Sequence, residues 1–113
     1  MTGPAAGYQA RPLVAAADGV RWEDVEMAIT NVSKKSFVGV TAYDRTADRV
    51  VGTTVLADGQ RGSVVAERGA TGAIAIHAKL GTFADASRDR SFEEAVLREL
   101  RRLGAIARPQ LTP

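Results

Sequence analysis

Between Phe37 and Leu80 the chain carries four segments of strand texture separated by only three short turn signals. That run limits the fold more than any other feature. Phe37–Asp44 (FVGVTAYD) and Arg49–Leu56 (RVVGTTVL) are rich in Val, Thr and aromatic residues, with the polar turn Arg45-Thr46-Ala47-Asp48 between them. Asp58-Gly59 follows, a strong hairpin signal because both turn positions tolerate φ > 0. A third strand, Ser63–Arg68, ends at the loop Gly69-Ala70-Thr71-Gly72. The fourth, Ala73–Leu80, alternates: Ile74, Ile76, Ala78 and Leu80 point one way, Ala75, His77 and Lys79 the other. Connections this short cannot carry crossovers, so the four strands form an antiparallel meander.

Helical periodicity flanks the run on both sides. From about Asp18 to Lys35, the residues Trp22, Val25, Ile29 and Val32 share one helical face, with Ala28 beside them. Glu23, Asp24 and Glu26 lie early and Lys34 and Lys35 late, which suits the helix dipole. After a polar loop from Gly81 to Arg90, Ser91-Phe92-Glu93-Glu94 reads as a capping box with Ser91 at the N-cap. Phe92, Val96, Leu97, Leu100 and Leu103 make the apolar stripe, and Gly104 is placed as the stop. The expected fold class is therefore α+β: helix, four-stranded antiparallel meander, helix, with both helices on one sheet face. Residues 17–106 form the single domain, 1–16 a flexible arm rich in Ala, Gly and Pro, and 107–113 a frayed tail.

Length and composition agree with one core. A chain of 113 residues buries about 60–70% of its unfolded surface. The absence of cysteine excludes disulfides, thiolate metal sites and a thiol nucleophile. No run approaches the 18 or more apolar residues (roughly) of a membrane span. Fifteen basic and thirteen acidic side chains leave a net charge of +2. The arginines from Arg88 to Arg102 are interleaved with acids, whereas a nucleic-acid site needs uncompensated charge.

The residues that carry chemistry are sparse. His77 is the only histidine, so no histidine pair completes a metal site. A Ser-His-carboxylate arrangement could combine His77 with Ser63, but no nucleophile-elbow pattern surrounds any serine. The loop Gly69–Gly72 joins two strands and so reads as a hairpin rather than a phosphate clamp. No catalytic, cofactor-binding or metal-ligating residue is assigned, and no cofactor is expected. The sheet face opposite the helices is expected to carry Tyr43, Val51, Val55, Val65, His77 and Lys79, unless the N-terminal arm folds over it. Apolar patches of that kind mark contact surfaces. The expectation is a non-enzymatic accessory domain that meets a protein partner or its own copies there. An RNA-binding module is the alternative, and a small enzyme without a recognisable motif the third reading.

The order of elements and the residues at their joints resemble a family of small bacterial envelope lipoproteins of unknown function. Trp22, Ala28, Ile29 and Val32 match its first helix, the stretch Asp44–Thr54 its central strands, and Asp58-Gly59 its turn. Gly81, Phe83 and Asp85 match the approach to its last helix. The similarity covers about residues 18–104. It implies a periplasmic domain tethered through a removed leader and a lipid-bearing cysteine, and it supplies no catalytic residue. A native start at Met1 implies a cytoplasmic protein instead.

Overall fold

In a computed structural model, which describes residues 13–15 and 19–107, the meander folds as β2 (Gly39–Arg45), β3 (Arg49–Val55), β4 (Arg61–Arg68) and β5 (Ile74–Lys79). All neighbours are antiparallel. The turn after β3 differs from the simple dipeptide reading. Gly59 N–H donates to Leu56 O and Leu56 N–H to Gln60 O, so Ala57, Asp58 and Gly59 form a three-residue loop. Only Gly59 has a positive φ, +89°. The Gly69–Gly72 loop repeats this geometry, with Gly72 N–H donating to Gly69 O and Gly72 at φ 88°.

A fifth strand lies where the arm was expected. β1 (Leu13–Ala15) pairs antiparallel with β5, giving the order β1-β5-β4-β3-β2. It extends the sheet at its edge instead of folding over its face. The rest of the arm, residues 1–12 and 16, lies outside the described residues, as does the tail at 108–113.

The first helix begins later than periodicity predicts. Trp22–Asp24 is a single 3-10 turn, and α1 runs Val25–Lys35. Its face is the one expected: Val25, Ala28, Ile29 and Val32 are buried, and Trp22 is half-buried with the Arg68 guanidinium 5.3 Å above its ring. α1 ends in a Schellman motif, Val38 N–H donating to Ser33 O and Phe37 N–H to Lys34 O. That geometry needs a left-handed residue, and the chain supplies Phe37, at φ 58°, where glycine is usual.

The last helix corrects the expected boundaries at both ends. α2 spans Ala86–Ala107, so Ser91 lies in its second turn and is no cap. Asp85 caps it: its Oδ1 accepts the Arg88 N–H at 3.0 Å, and its carbonyl accepts the Asp89 N–H. Gly104 does not stop the helix. It is buried inside it, because the backbone of Gly19 passes so close that a β-carbon at Gly104 would lie 2.1 Å from Gly19 O.

Both helices pack on the same face of the sheet and against each other. The inward residues of the strands, among them Val50, Val64, Ile74 and Ile76, meet Ile29, Phe92, Val96 and Leu100 in one core. Each such side chain, fully buried, contributes about 1.5–3 kcal/mol relative to exposure. α1 covers the β2–β3 half and α2 the β5–β1 half, so among the described residues no helix covers the opposite face.

Candidate interaction surface

Strand register turns that face into a grid. One row runs Asp44, Val51, Val65, His77 across β2, β3, β4 and β5, and the next runs Ala42, Thr53, Ser63, Lys79. Beyond them lie Arg49, Glu67 and Ala75 at one end and Gly39, Val55 and Arg61 at the other. Directly paired residues share a face, so each row is a line of neighbouring side chains. Val51, Val55 and Val65 are half-buried, while Asp44 and Lys79 are exposed. Five of the six residues expected on this face therefore stand together on it.

Tyr43 does not. Its hydroxyl lies 2.6 Å from Thr30 Oγ1 and donates to Glu26 O, both on α1, so the ring belongs to the helix side. The cause is a bulge: the β2–β3 register shifts between Val40 and Ala42, and Thr41 is the extra residue. One added residue reverses every later side chain on the strand. Burial pushes the Tyr43 phenol above its ordinary pKa of 10.

His77 sits where the grid meets the sheet edge. Among the described residues β1 pairs with Ile74–Ile76, and beyond that point α2 supplies acceptors to β5. Glu93 Oε2 accepts the Ala78 N–H at 2.8 Å and Asp89 Oδ1 the Leu80 N–H at 3.1 Å. Carboxylates one helical turn apart thus take two edge amides two residues apart. Glu93 is 1% exposed, its Oε2 is 3.7 Å from His77 Nδ1, and its Oε1 is 3.7 Å from Arg90 Nη1. Among the described residues neither His77 Nδ1 nor Glu93 Oε1 has a hydrogen-bond partner. His77 is thus held beside a buried carboxylate rather than engaged with Ser63, which stands one row away opposite Lys79. Among the described residues no three potential metal ligands converge, and no helix is long and apolar enough to cross a membrane.

Two further surface features escaped sequence reasoning. At the α1 C-terminus a groove of about 270 Å3 is lined by Val38, Leu56, Leu80, Arg88 and Phe92. Phe37, next to this lining in the chain, is 84% exposed, and Phe83 is 74% exposed. A phenylalanine at a C-terminal left-handed position gives no local signal, since glycine is the residue that marks it. Between the helices, Glu99 binds Arg102 through both oxygens at 2.9 and 2.7 Å and accepts from Asn31 Nδ2 at 2.8 Å. These bonds, Arg102 first and Asn31 second, hold its carboxyl well below the usual range, at about 2.

No known family model and no curated protein matches the chain.

Proposed function

We propose that this domain is a non-enzymatic binding module acting through the uncovered face of its sheet. The observation that carries the reading is the adjacency of Val51 and Val65 at the centre of that face, on a sheet whose helices both pack on the other side. Valines set in a polar rim are the anatomy of a protein contact: an apolar centre excludes water while charges around it select the partner. A protein suits the face better than nucleic acid. With Tyr43 on the helix side, no strand position of the face offers an aromatic ring for base stacking, and Asp44 and Glu67 interrupt the cations.

The resemblance of residues 18–104 to small envelope lipoproteins adds a location, the bacterial envelope. Intact mass of the native protein, recovered from membrane and soluble fractions of its host, tests it. A lipid-modified cysteine upstream of residue 1 is the expected result, and a soluble product starting at Met1 removes the location.

The binding reading is tested by Val55→Asp with Val65→Asp, cross-linked in the host beside the unaltered protein. The variant is expected to lose its cross-linked partners while keeping the near-ultraviolet signal of Trp22. A folded variant that retains the same partners ends the reading.

A further inference from the structure

Resting on the binding reading above, we infer that the occupant of the open face is a second copy of this chain. The two copies stack face to face about a two-fold axis that runs along the strands between β3 and β4. The inference comes from how charge is distributed over the grid. Acid stands on β2 (Asp44) and base on β5 (Lys79), and in the end row base stands on β3 (Arg49) and acid on β4 (Glu67). A two-fold axis along the strands exchanges β2 with β5 and β3 with β4. It therefore lays each member of these pairs over its opposite or one row from it.

Under that operation Asp44 falls over His77 of the second copy, because the two occupy one row. Lys79 stands two residues along the same strand, about 7 Å away, a distance its four-carbon stem spans. Arg49 falls over Glu67 of the second copy, and the centre closes with Val51 on Val65 and Thr53 on Ser63. Val55 meets the stem of Arg61. Every contact occurs twice, as a two-fold interface requires. Sheets stacked this way pack about 10 Å apart with strands roughly 30° from parallel, the arrangement of a β-sandwich.

The alternative face-to-face axis, across the strands, stacks β2 on β2 and β5 on β5. It lays Glu67 over Arg61 of the second copy, but it also brings Asp44 toward Asp44 and Lys79 toward Lys79, two like-charge approaches that the strand-parallel axis avoids. The strand-parallel axis is the one the charges select. Arg49 and Glu67 are 3.8 Å apart within one chain and both more than half exposed, so they are free to exchange partners across the axis.

Charge reversal with rescue tests the pairing, read by sedimentation across a concentration series. The unaltered chain is expected to dimerise. Asp44→Lys and Lys79→Asp, both at exposed positions, are each expected to weaken the dimer by at least about tenfold. The combined variant restores the pair with reversed sign and is expected to recover most of the affinity. A chain that stays monomeric at high concentration overturns the dimer, and if its Val55→Asp/Val65→Asp form still loses its cross-linked partners in the host, the wider binding reading stands. A dimer unaffected by either reversal uses another surface and overturns the proposal.

Discussion

The ring of Tyr43 lies directly against the backbone of Gly52, its partner across β2 and β3. A β-carbon at Gly52 would sit 3.2 Å from Tyr43 Cε1 and the same distance from Val64 Cγ1. Gly52 is therefore the floor on which the ring rests while the hydroxyl reaches α1 through Thr30 and Glu26. Together the two residues tie the outermost strand to the first helix.

Gly52→Val places branched carbons where the ring and Val64 already pack. Strand propensity favours valine, but overpacking costs about 1–3 kcal/mol and dominates at a buried site. The variant is expected to unfold at a lower denaturant midpoint than the unaltered chain. Tyr43→Phe, which keeps the ring and removes only the hydroxyl bonds, is expected to lose about 1 kcal/mol. A Gly52→Val protein as stable as the original would mean that the Tyr43 ring does not occupy this position.

The meander and the two helical stripes are readable in the sequence because alternation and 3.6-residue periodicity are local signals, and Ile74–Lys79 obeys its pattern at every position. Most of what escaped the reading depends on contacts distant in sequence. The bulge at Thr41 leaves no mark in the order of residues, yet it moved Tyr43 from one face to the other. Ser91 has the residues of a capping box, but Asp85 lies one and a half turns earlier and captures the helix start. β1 is three residues long and has no periodicity of its own; only its pairing with β5 makes it a strand. Which residues share the sheet face opposite the helices was legible apart from Tyr43, whereas the role of Glu93 as an acceptor for β5 depends on where α2 docks.

That role separates two substitutions. Glu93→Ala leaves the Ala78 N–H buried without an acceptor and opens a void, at a combined cost of about 2–3 kcal/mol. Glu93→Gln keeps an oxygen for the amide and is expected to cost less. Hydrogen exchange at Ala78 reads the difference: fast in the alanine variant under native conditions, slow in the glutamine variant. Equal protection in both would show that the carboxylate does not hold the strand edge.

Glu99 gives the fold a definable response to acid. Its folded pKa of about 2 lies below its ordinary 4.5, so the fold favours the ionised carboxylate. The contribution is fully present above pH 4.5 and disappears as pH falls through about 2. Arg102 is half-exposed, so solvent screens part of the gain. Glu99→Gln is expected to be less stable than the parent by about 1 kcal/mol at neutral pH. The gap should close as pH falls toward 2, and denaturant midpoints over that range check it. A gap independent of pH would show that the loss comes from packing and not from the charge.

Gly104→Ala reverses the usual sign of a helix substitution. In an exposed helix interior, alanine in place of glycine stabilises by about 1 kcal/mol. Here the new β-carbon would lie 2.1 Å from Gly19 O and 2.9 Å from Gly19 C, both backbone atoms with no side-chain freedom to yield. The segment leading into the Trp22 turn must separate from α2, and the expected result is a lower melting temperature despite the better helix former. Ala105→Gly, at the exposed neighbouring position, supplies the control and should lower stability by the ordinary propensity alone. If Gly104→Ala instead raised the melting temperature, the contact between Gly19 and α2 would not be part of the stable fold, and Gly104 would be an ordinary helical glycine.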